Sequence, residues 1–191
     1  LLVAGFACGP LAANCYLLAT SEGAGCVIVD PGQDALEPIT AALRRHRLTP
    51  DGVLLTHGHF DHVTSAAAFG VPVWLHEADR DLPPEPITFT PLEAGTMTVA
   101  ELAITVDHTP GHTPGSVVLR LESGEGGKLA LTGDTVFAGS VGRGDADELR
   151  NSLRATVMTL PGDTVLLPGH GPATTIGAER TANPYFGEVT R

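Results

Sequence analysis

The chain has one lysine, Lys128; lysine and arginine together number 11 against 22 acidic residues, a formal net charge of −11 over 191 residues. Binding a phosphate backbone depends on clustered cations that release counterions, so nucleic acid is not an expected partner. Aromatic residues are scarce at 5%, and the core must therefore be aliphatic, built from Val, Leu, Ile and Ala. Cysteine is limited to Cys8, Cys15 and Cys26, an odd number without CxxC spacing. That argues against a disulfide framework and points to small buried or partly buried hydrophobes in a reducing, cytoplasmic setting. No run of 18 apolar residues occurs. The opening LLVAGFACGPLAANCYLL is interrupted by Gly, Pro and Asn and has no charged flank, so neither a signal peptide nor a membrane span is expected. No GxSxG elbow offers a serine nucleophile. Linkers, repeats and low-complexity blocks are also missing, and residues 1–191 read as one domain.

What is present is a succession of short apolar runs separated by turns, consistent with 23 Gly and 15 Pro. Residues 15–20 and 26–30 read as paired strands around a Gly-rich turn. Asp34, with Glu37 three residues on, reads as a capping-box start for a helix whose buried stripe is Leu36, Ile39, Leu43 and Leu48. Further strands are expected at 53–56, 71–75, 102–106, 116–121, 128–132 and 164–168. Helices are expected at 63–69 and through Leu149, Leu153, Val157 and Leu160. Several strands adjoin without an intervening helix. The fold class is therefore α/β, with two mixed sheets face to face and helices outside.

Eight histidines are present, and they are not scattered. Thr56-His57-Gly58-His59-Phe60-Asp61-His62 places four metal-capable side chains within six positions, directly after a buried strand. His112 follows in TPGHTPG, Asp134 in LTGD and His170 in LLPGH, each just after an apolar strand. If those strands share one edge, five imidazoles and two carboxylates converge where strand ends usually hold ligands. Imidazole and carboxylate suit Zn²⁺, and also Fe or Mn. Seven donors exceed one tetrahedral ion, so the set points to two divalent ions with open positions for water and hydrolytic chemistry. His46, among arginines, reads as a surface group. His76 and His108 read as surface groups or as supports for a ligand, and Asp30 as a support or the start of a turn.

With these residues in place, the sequence resembles the metallo-β-lactamase superfamily, whose signature is HxHxDH followed by separated His, Asp and His. The resemblance runs from NCYLL and VIVDPG to PGHGPATTIGAERTANP and implies an αββα sandwich. It also implies that His57, His59 and His112 hold one metal, that Asp61, His62 and His170 hold the other, and that Asp134 bridges them. Asp61 and Asp134 are the expected catalytic carboxylates. The β-lactamases of the superfamily carry Cys or another non-bridging ligand at the position of Asp134, and flavodiiron proteins carry Glu at that of His59. HTPGHTPGSV and TGDTVFAGSVGR are most similar to glyoxalase II, in particular its short bacterial members, which implies hydrolysis of S-lactoylglutathione or a related small-molecule thioester. The longer enzymes have a helical C-terminal extension, whereas 21 residues follow His170 here. Where those enzymes place a Lys and a Tyr against glutathione, this chain has Arg143 and Asp145. Arg143 is thus a candidate for a substrate carboxylate, or else for a surface ion pair with Asp145 or Asp147.

The implied mechanism is attack by a metal-bridging hydroxide on the thioester carbonyl. Three rivals stay open. A mononuclear-iron persulfide dioxygenase would use His57, His112 and Asp134, and GRGD around Arg143 resembles the GRTD segment of that family. The others are a hydrolase of another ester, such as a lactone, and a metal-dependent binding module.

Overall fold

Most of the apolar runs bury both of their faces, and this sets the layering. In the computed structural model, which describes residues 1–189, the first half of the chain forms β1 (Leu2–Cys8), β2 (Ala13–Ala19), β3 (Gly25–Val29), α1 (Leu36–His46), β4 (Thr49–Leu54), α2 (Phe60–Val63), β5 (Val73–Leu75) and β6 (Thr90–Pro91). Its strands make one six-stranded sheet in sequential order, antiparallel from β1 to β3 and parallel from β3 to β6. The second half forms β7 (Gly95–Val99), β8 (Leu102–His108), β9 (Val117–Glu122), β10 (Lys128–Gly133), the small hairpin β11 (Val136–Phe137) and β12 (Ser140–Val141), α3 (Ala146–Ala155), β13 (Val165–Pro168), β14 (Thr174–Thr175), α4 (Ile176–Ala182) and α5 (Pro184–Val189). The second sheet has the order β14-β13-β10-β9-β8-β7, with β10 and β13 parallel and the other neighbours antiparallel.

Alternation along each strand assigns its side chains to layers. In β2, Tyr16 and Leu18 face the second sheet and pack with Ile104, Val106, Leu119 and Leu131, while Cys15 and Leu17 face outward under Ile39 of α1. On the far side, Val118, Ala130 and Leu166 lie under Leu149 and Leu153 of α3, Ile176 of α4 and Phe186 of α5. Two mixed sheets with helices on both outer faces are thus the observed architecture, as the sequence pattern implied. All three cysteines are buried and free, as expected. Among the described residues no helix is long and apolar enough to cross a membrane.

Several local expectations need correction. Asp34 does not cap α1: it sits in left-handed backbone (φ 59°), and Ala35 takes the N-cap position without a side-chain hydrogen bond. Leu36 is exposed, and Ile39 and Ala42 are the buried residues of α1. Residues 63–69 do not form one helix. α2 ends at Val63, because Ser65 turns to the β3–α1 connection, its N–H donating to Pro31 O (2.9 Å) and its hydroxyl to Gly32 O (2.7 Å). A 3₁₀ turn, Ala66–Phe69, follows and is closed by left-handed Gly70. Val157 likewise lies in a 3₁₀ turn beyond α3. The edge strands β1, β6, β7 and β14, the β11–β12 hairpin and the terminal helices α4 and α5 have no counterpart in the sequence pattern.

Candidate metal centre

β9 is antiparallel to both β8 and β10, and β13 is parallel to β10, so β8, β10 and β13 all run one way. Their C-terminal ends deliver His112, Asp134 and His170 to one end of the second sheet. The HxHxDH loop comes from β4, which belongs to the first sheet. The expectation of a single shared edge is corrected accordingly: the donors meet at a common end of the sandwich, contributed by both sheets. Cross-sheet hydrogen bonds stitch that end together, from Val117 N–H to Thr56 O (2.9 Å) and from Asn14 N–H to Gly169 O (2.7 Å).

The structure brings all seven predicted donors together. Ligand atoms of His57, His59 and His112 lie within 4.8 Å of one another, as do those of Asp61, His62 and His170. Asp134 stands between the trios. Its Oδ1 is 3.5 Å from His62 Nε2, while Oδ2 is 3.5 Å from His112 Nε2 and 3.7 Å from His170 Nε2. His170 Nε2 also lies 3.3 Å from Asp61 Oδ2. Gly169 permits this approach, since a Cβ there would fall 2.2 Å from Asp134 Oδ1.

The inward nitrogens are oriented from behind. Thr56 Oγ1 lies 3.1 Å from His57 Nδ1, Asp30 Oδ2 3.3 Å from His62 Nδ1, the Arg143 carbonyl 2.7 Å from His112 Nδ1 and the Leu11 carbonyl 3.2 Å from His170 Nδ1. Asp30 therefore acts as a support: buried in left-handed backbone (φ 51°), it also accepts the Thr56 N–H (2.7 Å) and hydroxyl (2.5 Å).

These residues fit a cation. His59 Nδ1 and His112 Nε2 point at each other across 3.0 Å, and His62 Nε2 and His170 Nε2 across 3.3 Å. Two nitrogens on a tetrahedral zinc, each about 2.0–2.1 Å from it, lie about 3.3 Å apart. Among the described residues, four buried side-chain polar atoms lack a hydrogen-bond partner; two of them, His57 Nε2 and Asp134 Oδ1, are ligand atoms of this cluster, and a third, His62 Nδ1, faces Asp30. Each unsatisfied buried group costs about 1–3 kcal/mol, so their concentration here argues for a ligand.

The two trios differ electrostatically. Burial, reinforced by the His62 imidazole, holds His57 well below the usual imidazole pKa; burial and His112 lower His59. Burial also opposes charge on His62, but the Asp30 carboxylate outweighs it and the pKa rises. His170 is raised by its hydrogen bond to Asp61. Burial pushes Asp134 up. Burial works the same way on Asp61, but the His170 bond overcomes it and the carboxyl is lowered.

Arg143 is exposed, and among the described residues it forms no ion pair with Asp145 or Asp147. Asp145 instead caps α3, accepting the Asp147 and Glu148 N–H groups at 3.0 Å each, and Asp147 pairs with Arg150. Arg143 lines a cavity of about 460 Å³ with Ser140, Leu149, Arg150 and Tyr185. His46 is a surface group paired with Glu22 (3.0 Å). His76 and His108 stack on each other, centroids 4.2 Å apart, outside the cluster. Sequence reasoning missed Thr56, Asn14 and Tyr16. The Asn14 amide and the Tyr16 hydroxyl donate to the Pro168 carbonyl (2.9 and 2.7 Å), steadying the turn that carries His170. These partners lie some 150 residues apart in the chain, beyond any spacing signal.

A family model described as the metallo-beta-lactamase superfamily matches residues 8–170. The chain is 34% identical to hydroxyacylglutathione hydrolase GloC of Haemophilus influenzae over 200 residues, covering 91% of this chain and 92% of the relative. Among solved structures it is similar to the B3 metallo-beta-lactamase BLEG-1 (TM-score 0.85, 32% identity, 96% and 99% of the two chains). It is likewise similar to TTHA1623, solved in a di-iron-bound form (TM-score 0.81, 36% identity, 95% and 99%).

Proposed function

This chain belongs to the metallo-β-lactamase superfamily and is a metallo-hydrolase; from that premise we propose that it hydrolyses a small-molecule thioester, such as S-lactoylglutathione, at a two-metal centre. The observation that carries the reading is the placement of Asp134, with one oxygen toward His62 and the other toward His112 and His170. A carboxylate so placed suits the shared ligand of two cations. His57, His59 and His112 would hold one cation, and Asp61, His62 and His170 the other, zinc being the first candidate and iron or manganese the alternatives. Such a pair supplies a nucleophile from water at neutral pH and a Lewis acid for a carbonyl oxygen.

The rest of the chemistry belongs to the chain's own residues. Burial keeps His57 neutral, the form in which an imidazole ligates. Asp30, Asp61 and Asp134 offset cationic charge in a mostly buried pocket. Thr56, Asp30, the Arg143 carbonyl and the Leu11 carbonyl fix which ring nitrogen faces inward. The Arg143 guanidinium, on the loop that orients His112, is the group to meet a carboxylate on the thiol portion. A thiolate leaves without a dedicated acid, and the likeness to GloC supports a thioester over other esters.

The test is metal analysis of the purified protein together with parallel assays. Two equivalents of metal and thiol release from S-lactoylglutathione are expected. One iron with oxygen consumption on glutathione persulfide would move the assignment to a dioxygenase. Turnover confined to a lactone or a β-lactam would replace the thioester.

A further inference from the structure

Asp79 lies in a 3₁₀ turn after β5, is fully buried, and belongs to neither trio. Its carboxylate accepts three hydrogen bonds. Oδ2 takes the Gly58 N–H at 2.9 Å and the Thr113 hydroxyl at 2.7 Å, and Oδ1 takes the Gly115 N–H at 2.6 Å. Gly58 is the residue between His57 and His59, and Thr113 directly follows His112. All three bonds therefore end on the two segments that carry the first trio, and none ends on residues 60–62, 134 or 170. The packing around the carboxylate is close: a Cβ on Gly115 would lie 2.6 Å from Asp79 Cγ, and one on Gly58 3.1 Å from Asp79 Cβ. The first trio also needs this support more than the second. His57 and His112 have a second ring nitrogen tied from behind, whereas among the described residues His59 Nε2 has no hydrogen-bond partner, so its place depends on the backbone of its loop.

We propose that Asp79 is a positioning residue that clamps the His57/His59 loop to the His112 loop and so sets the cation affinity of the first trio alone. The inference rests on the two-metal reading above, but it does not depend on which substrate is hydrolysed. A carboxylate suits the task because it accepts from two N–H groups and a hydroxyl at once, whereas an asparagine would turn an N–H₂ toward one of those donors.

The test uses zinc binding to the metal-stripped chain, measured by calorimetric titration in two backgrounds. His170→Ala cripples the second trio and His59→Ala the first. Adding Asp79→Asn is expected to weaken zinc binding about 10- to 100-fold in the His170→Ala background and less than about 2-fold in the His59→Ala background, the range seen when support behind a ligand is lost. Thr113→Val, which keeps the carboxylate and both backbone bonds, should show the same selectivity with a smaller loss. Cobalt substituted into the His170→Ala background should change its visible spectrum with Asp79→Asn, a change that loss of stability alone would not produce. Equal weakening in both backgrounds, or none in the first, overturns the clamp. A parent chain that takes up no zinc overturns both the clamp and the metal centre. A parent that binds two zinc ions without releasing thiol from S-lactoylglutathione, while the selectivity holds, removes only the thioester.

Discussion

The two trios that flank Asp134 present contrasting environments to a cation. His57, His59 and His112 form an all-imidazole set whose members at 57 and 59 are pushed toward the neutral state. Asp61, His62 and His170 include a carboxylate, and their imidazoles are pulled toward the protonated state by Asp61 and Asp30. The first is secured chiefly through backbone, by Asp79 and the Arg143 carbonyl, and the second chiefly through charge, by Asp30 behind His62. The difference teaches that one centre can be preorganised in two ways: a neutral set needs rigid loops, while an anionic set attracts both cations and protons and must discriminate between them.

The strongest way to break this comparison is to remove what the trios share. Asp134→Ala should empty both and reduce kcat/KM by more than about 100-fold, since even the loss of a support behind a ligand costs 10–100-fold; full activity in a metal-replete variant would refute the arrangement. Next in size, Asp30→Asn should weaken zinc at the second trio about 10- to 100-fold in the His59→Ala background. Its effect in the His170→Ala background should be smaller, because Asp30 contacts His62 directly while its hydrogen-bonded path to His57 runs through Thr56.

Acid should separate the trios more gently. The raised pKa values of His62 and His170 mean that those rings hold protons to higher pH, so protons begin to displace metal there first as the pH falls through the imidazole range near ~6.5. The lowered values of His57 and His59 let the first trio keep its metal into more acid solution. Metal retained against pH in the two backgrounds should therefore show two displaced curves; coincident or reversed curves would contradict the electrostatic contrast. The smallest effect is expected at α3. Asp145→Ala should lower stability by about 1 kcal/mol through loss of the N-cap, read by denaturant unfolding, with zinc binding unchanged at both trios.

Legibility of the molecule follows the range of the interactions involved. The layering could be read because the apolar runs and the turns between them are local signals. Four donors were legible because they occupy one loop, and His112, Asp134 and His170 because each follows an apolar strand. What the sequence concealed was long-range: the union of two sheets at one end, Asn14 and Tyr16 holding the His170 turn, and Asp79 reaching two loops from a third. Asp34 suits a cap by residue type, but its left-handed backbone does not. The 63–69 segment has the local pattern of one helix, but the bonds that divert Ser65 come from residues more than thirty positions away.

The most direct measurement is a crystal structure of the zinc-loaded chain with anomalous data collected at the zinc edge. Two peaks are predicted, one enclosed by His57, His59 and His112 and one by Asp61, His62 and His170, with Asp134 in contact with both. A single peak, or ions bound elsewhere while these imidazoles turn apart, would contradict the account.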